Sequence, residues 1–239
     1  FDILFIQEPP WSLIRKTVSS SNKDSDDVIG APKHPEWITV APVTKPDRKP
    51  RVLAYCHNRL TRLRPSLRRD IIDHPDIIAL SVFAHGQTLN FMNVYSDDQN
   101  TAIFHIAGKS GSLPSFVYMG GDFNCHSSVW DPKETSHRTV PIALLESAAG
   151  LGLELAMPDN PGPTLYPYNR DFRPLVIDLI FLRSQDVLAR MPHREIGIQG
   201  SSDHIPISAV VPLSEPIDVG TTRSIKPNSE SERDYVDAL

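Results

Sequence analysis

Apolar positions along this chain come in short runs closed by glycine, proline or polar clusters, the pattern of buried strands rather than of long helices. Such runs occupy Ile3 to Ile6, Trp37 to Val40, Val52 to Cys56, Ile77 to Phe83, Leu89 to Tyr95, Phe116 to Met119, Leu175 to Leu182 and Ile205 to Val211. His85-Gly86-Gln87 separates two of them and predicts a hairpin, hence antiparallel pairing. Helical spacing is rarer. Asp97 to Lys109 places Ile103, Ile106 and Ala107 on one face, and Thr139 to Ala149 repeats Ile142, Leu145 and Ala149 before the stop at Gly150 and Gly152. Many strands with few helices predict a two-layer β core sandwiched by helices. Residues 19–27 and 41–50 read as surface connections. Beyond residue 213 the apolar pattern dissolves, so the expected division is a domain over 1–213 and a linker over 214–239. The chain enters its first strand abruptly at Phe1-Asp2-Ile3, which suggests a fragment of a longer polypeptide.

The polar residues that close these runs carry the chemistry. Phe116 to Met119 runs into Gly120-Gly121-Asp122-Phe123-Asn124-Cys125-His126. A strand that stops on glycines and then presents Asp, Asn and His delivers polar groups to a sheet rim, although the same residues also make ordinary turns. Ile3 to Ile6 ends on Gln7-Glu8-Pro9-Pro10, and Ser201-Ser202-Asp203-His204 precedes Ile205. Asp178 sits inside the apolar stretch Val176 to Phe181, where a carboxylate needs a partner. Gathered in one cleft, Glu8, Asp122, Asn124, Asp203 and His204 would offer hard oxygen ligands that suit Mg²⁺ better than zinc.

Composition narrows the classes. A chain of 239 residues can bury a large core, and no run approaches the ~20 apolar residues of a membrane span. The net charge of −5 disfavours a generic nucleic-acid coat but not a nuclease, whose carboxylate site is itself negative. Arg51, Arg59, Arg62, Arg64, Arg68 and Arg69 form a basic stretch that faces either phosphates or only solvent. Cys56 and Cys125 follow no zinc or redox spacing, which fits a reducing, intracellular setting.

In order, Gln7-Glu8, Asn93-Val94-Tyr95, Asp122 to His126, the strand around Asp178 and Ser202-Asp203-His204 resemble the endonuclease/exonuclease/phosphatase superfamily, which includes deoxyribonuclease I and the abasic-site endonucleases. The resemblance implies an α/β (α+β) fold, a four-layer α/β/β/α sandwich with two packed mixed sheets. It implies metal-dependent phosphodiester hydrolysis leaving a 3′-hydroxyl and a 5′-phosphate, with Mg²⁺, or Mn²⁺, held by Glu8 and Asp203. By the same resemblance His204 contacts the scissile phosphate or takes a proton from water, and Asp178 orients its ring. Asp122 positions the attacking water, Asn124 binds a phosphate oxygen, and Tyr95 donates to the phosphate with Asn93 behind it. For His126 both a substrate contact and a structural role stay open.

Within the superfamily the opening Gln7-Glu8-Pro9-Pro10-Trp11, the run Gly120 to Asp131 and the tail from Ser224 look most like the endonuclease domain of a non-LTR retrotransposon. That implies a DNA substrate, a covalently linked reverse transcriptase, nicking of a target strand to expose a primer, and an intracellular, nuclear location without a membrane. Two departures matter. Leu175 and Val176 stand where relatives often carry Ser or Thr, leaving open whether Thr164 substitutes, and no Arg closely follows Tyr95. The competing readings are abasic-site repair or phosphatase action on the same fold, and an inactive remnant of a retroelement.

Overall fold

The apolar runs all fall on strands or overlap them. The computed structural model describes residues 1–16, 27–42, 49–135, 139–189 and 191–213. The early strands are β1 (Ile3–Gln7), β2 (Ser12–Lys16), β3 (Asp27–Gly30), β4 (Trp37–Val40), β5 (Val52–His57) and β6 (Ser66–Leu67). Then come β7 (Ile77–Ala84), β8 (Gln87–Tyr95), β9 (Tyr118–Asp122), β10 (Glu154–Leu155), β11 (Asp178–Leu182), β12 (His193–Arg194) and β13 (Ile207–Ser208). The helices are α1 (Thr101–Lys109), α2 (Thr139–Gly150) and α3 (Ser184–Ala189). The expected linker over 214–239 and most of the expected loops at 19–27 and 41–50 lie outside the described residues.

Six strands form one sheet in the order β10-β11-β9-β8-β7-β6, and three form another in the order β1-β5-β4. The larger sheet is mixed: β8 and β9 are parallel, with α1 in the crossover, and its other pairs are antiparallel. In the smaller sheet both described pairings are antiparallel. The hairpin between β7 and β8 closes on His85 and Gly86, both with positive φ, as a two-residue turn matched to strand twist requires.

Alternation assigns the faces. Ile77, Ala79, Met92, Val94, Met119, Leu179 and Phe181 of the larger sheet pack with Ile103, Ile106, Leu144 and Ala148 of α1 and α2. The intervening residues Ile78, Leu80, Val82, Leu89 and Phe91 pack on Leu53, Ala54 and Cys56 of β5. Burial on both faces explains why these strands read as continuous apolar runs rather than alternating ones. Each fully buried Ile or Leu contributes roughly 1.5–3 kcal/mol. On that second face Ile180 and Leu182 also meet Val187 of α3, so helices border both sides of an α/β architecture with two packed sheets.

One buried amide fastens the two sheets together. Asn93 has no exposed surface; it accepts from Gln7 Nε2 at 2.5 Å and donates to the carbonyls of Ile6 at 3.2 Å and Leu53 at 3.1 Å. Left unpaired, such a group would be penalised, so this network fixes how β8 sits on β1 and β5.

Three element boundaries differ from the sequence reading. β9 does not end at the glycines but runs through them to Asp122. A Cβ on Gly121 would stand 1.9 Å from the Val94 carbonyl oxygen, and its φ of +149° is glycine's, so the close approach of β8 demands this residue. Helix α1 starts at Thr101, because the Asp97 carboxylate lies outside it and accepts from the Thr101 amide and hydroxyl at 3.0 Å each. The run Leu175 to Ile177 stays outside the main ladder. Leu175 bridges Leu165 instead, and the Ile177 and Asp178 amides donate to Thr164 Oγ1.

Candidate active site at the rim between the sheets

Strand register builds the core of the site. Asp122 of β9 is the ladder partner of Tyr95 on β8 and of Asp178 on β11, so three polar residues occupy one rung across three strands. By alternation they share a face with Phe91, Tyr118 and Ile180, the face turned toward the smaller sheet. They stand where the inter-sheet core ends. His204 arrives from the chain just before β13, anchored by a bridge to Leu165, by the Ile205 amide on the Thr164 carbonyl at 2.7 Å, and by its own amide on Ser202 Oγ at 3.0 Å.

The resulting cluster is tight. Asp122, Asp178 and His204 each present a ligand atom within 4.8 Å of the others. His204 Nδ1 lies 2.9 Å from Asp178 Oδ2, which leaves Nε2 as the ring nitrogen not engaged by that carboxylate. The Asp178 contact, opposed by burial, raises the His204 pKa to about 9, so the imidazole carries its proton at neutral pH. Asp122 is the mirror case. Burial and the neighbouring Asp178 charge push its carboxyl up to about 7, against the pull of His204. Two carboxylates and one cation thus share a small, half-dry volume. That combination accommodates a proton or a cation readily.

Supporting groups surround the cluster. Thr164, 1% exposed, accepts the Ile177 and Asp178 amides at 3.1 and 3.0 Å, so a hydroxyl far upstream does hold the backbone of the buried Asp. Ser96 donates its amide to the Asp122 carbonyl at 2.8 Å and accepts Asn124 Nδ2 at 2.9 Å. Asn124 has a left-handed backbone (φ +44°), and its amide nitrogen and Nδ2 also meet the Asp122 carboxylate at 3.0 and 3.2 Å. Its donors are committed within the protein rather than to the cleft. Burial pushes the Cys125 thiol up to about 12, an inert neighbour.

The other candidates divide. Glu8 is exposed, left-handed at φ +47°, and held by its amide on the Arg51 carbonyl at 2.8 Å. Its charge reaches Asp122, and it makes a hydrogen-bonding interaction with Tyr95; burial first, then Glu8, raises the pKa of that phenol. Asp203 adds its charge to His204 and lends its carbonyl to the Tyr166 amide at 2.8 Å, but its carboxylate is outside the tight cluster. Asn93 is not brought to the cleft at all; it is the buried clip between the sheets. His126 turns its Nδ1 inward, where it meets no hydrogen-bond partner among the described residues. In the basic stretch Arg51, Arg59, Arg68 and Arg69 pair with Asp76, Asp2, Asp70 and Asp73.

Sequence motifs located the rung and the histidine. They gave no structural role to Gln7, Ser96 or Arg51, which pair across tens of residues. Thr164 left a trace as a hydroxyl upstream of a motif that lacks its usual one.

No curated protein matches the chain in sequence. Among solved structures, the chain is similar to the endonuclease domain of TRAS1, a telomere-specific non-LTR retrotransposon. The identity is 15% over 90% of this chain and 87% of that one, with a TM-score of 0.57, a likeness of fold. A second similar structure is an endonuclease/exonuclease/phosphatase family protein from Leptotrichia buccalis, 12% identical over 89% of this chain and 88% of that one, with a TM-score of 0.47. A family model described as Endonuclease-reverse transcriptase matches residues 89–208. That span reaches from the hairpin strand β8 to β13 and takes in the whole Tyr95–Asp122–Asp178 rung with His204. The chain therefore belongs to the endonuclease-reverse transcriptase family, within the endonuclease/exonuclease/phosphatase superfamily.

Proposed function

We propose that this protein is a divalent-metal-dependent endonuclease that nicks one strand of DNA and leaves a 3′-hydroxyl able to prime reverse transcription by a linked polymerase. The observation that carries the reading is the Asp122–Asp178–His204 cluster, whose two carboxylates share one sheet rung at the end of the inter-sheet core. Family membership supplies the class of chemistry, phosphodiester hydrolysis.

The donor set fits a hard cation, since the cluster and its rims offer carboxylate oxygens from Asp122, Asp178, Glu8 and Asp203. Glu8 and Asp203 are the residues we assign to hold Mg²⁺ or Mn²⁺. When bound, such an ion would offset the charge that builds on the phosphoryl oxygens. The chain's own groups do the rest. Asp122, held ready by Asn124 and close to neutrality in pKa, orients water and accepts its proton. Protonated His204, aimed by Asp178, lies against the phosphate and stabilises the charge that develops there. The water oxygen joins phosphorus, the bond from phosphorus to the 3′-oxygen breaks, and that oxygen takes up a proton. Tyr95 donates to the phosphate from the opposite rim once substrate displaces its Glu8 contact.

The test is nicking of supercoiled plasmid with Mg²⁺, beside EDTA and His204→Ala. Nicked circles that need both Mg²⁺ and His204 are expected. A folded wild type that leaves the plasmid supercoiled sinks the proposal.

A further inference from the structure

Arg51 belongs to none of the motifs, yet it touches both Glu8 and Tyr95. Its backbone carbonyl accepts the Glu8 amide at 2.8 Å, at the point where the chain turns left-handed. Its guanidinium carbon stands 4.8 Å from the Tyr95 ring centroid, in the position of a cation over a π face. The same guanidinium forks onto Asp76, with Nε to Oδ1 at 2.7 Å and Nη2 to Oδ2 at 2.6 Å, and Nη2 also reaches Asp97 Oδ2 at 3.0 Å. The Asp76 side chain is 3% exposed, and its backbone carbonyl accepts the Tyr95 amide at 2.9 Å. Asp97 in turn caps α1 through Thr101.

These contacts join the ends of both sheets. Two of them, Glu8 amide to Arg51 carbonyl and Tyr95 amide to Asp76 carbonyl, are backbone bonds one step beyond the paired strands, and the guanidinium ties the two together through Asp76 and the Tyr95 ring. Glu8 is the first residue past β1, and no ladder fixes its carboxylate relative to the larger sheet. A pair serving stability alone would need only Asp76, and an apolar replacement would serve as well. The planar fork instead sets the guanidinium at one angle, which a lysine point charge would not do.

We propose that Arg51 is a positioning residue that fixes the Glu8 carboxylate against the Tyr95 hydroxyl across the two sheets. This rests on the assignment of Glu8 and Tyr95 to the hydrolytic site. The decisive comparison is Arg51→Met and Arg51→Lys against wild type, in two readouts. One is Mn²⁺ titration of metal-free protein followed by water-proton relaxation; the other is single-turnover nicking.

Arg51→Met should weaken Mn²⁺ binding about 10-fold, as loss of an outer-shell partner does. It should slow nicking about 100-fold at saturating plasmid, with little change in the plasmid concentration needed for half-saturation. Arg51→Lys should recover part of each loss. Combined with Tyr95→Phe, the Arg51→Met loss should shrink, because both act through one hydroxyl. Should Arg51→Met fail to fold, the lysine variant carries the comparison, since it keeps the charge and loses the fork. Unchanged Mn²⁺ affinity in a folded variant, or losses that multiply with Tyr95→Phe, would overturn the proposal. If wild type binds Mn²⁺ without nicking, the endonuclease reading fails while the Mn²⁺ shift still decides the role of Arg51.

Discussion

The two rims of the cleft are held in place by different means. On the larger sheet, Tyr95, Asp122 and Asp178 take their positions from backbone pairing, with Thr164 and Asn124 bracing the two carboxylates and His204 joined through Asp178. On the smaller sheet, Glu8 lies just beyond its ladder, exposed and left-handed, and depends on Arg51 and Tyr95 for its position. Register is rigid and cannot be tuned by one side chain. A clamp of side chains can be tuned, and can be lost by one substitution. The first rim is therefore suited to groups that handle protons, and the second to a carboxylate that must yield when a cation or a phosphate arrives.

The contrast breaks most visibly at its chemical centre. Asp178→Ala should slow nicking about 10³-fold, about 4 kcal/mol of barrier, with only a modest fall in melting temperature. The fall reflects loss of the contact that favours protonated His204, offset in part by relief of the charge that helps raise the Asp122 pKa. A collapse in stability instead would mean that the rung serves the fold rather than the chemistry. Next comes the register itself. Gly121→Ala forces a Cβ into the Val94 carbonyl and should cost roughly 4 kcal/mol or more in denaturant unfolding. If the variant unfolds like wild type, β8 and β9 do not depend on that close approach.

The coupling between sheets gives a smaller effect. Asn93→Ala leaves Gln7 and the carbonyls of Ile6 and Leu53 without their partner, and should cost about 2–3 kcal/mol. Activity at a temperature where the variant stays folded should fall far less than in Asp178→Ala; an equal loss would return Asn93 to the cleft as a substrate contact. The smallest effect is in pH. His204 has a folded-state pKa of about 9 against an ordinary 6.5, so its stabilising contact is fully present below about pH 6.5 and lost as pH rises through 9. In EDTA, thermal stability should therefore decline between pH 7 and 10 in wild type and be flatter in His204→Ala. Parallel curves would show that the Asp178 contact does not favour the imidazolium.

Legibility in the sequence followed the same divide. The register-held rim was readable, because Asp122, Asp178 and His204 each close or interrupt an apolar run, and a charge in such a place needs a reason. Asn93, expected behind Tyr95, lies deeper than the sequence could say, for a physical cause. Two residues before Tyr95 puts it on the same face of β8, but periodicity says nothing about depth, and one step back lies under the smaller sheet. Arg51 was visible only as part of a basic stretch, its role hidden for another cause. It follows the proline-containing stretch 41–50, and its partners lie 25 and 46 residues away, with no local pattern to link them. The strand ends were misjudged where another contact outbid the ladder, as Thr164 does for the amides of Ile177 and Asp178.

The rung of Tyr95, Asp122 and Asp178 also acts as a datum line. The segments that leave it, from Ser96 to Val117 and from Phe123 to Ile177, depart and return at fixed strand ends and carry the groups that brace it, Asn124 on Asp122 and Thr164 on Asp178. An insertion of one residue inside β9 would turn Asp122 toward the helices and erase the centre at a stroke.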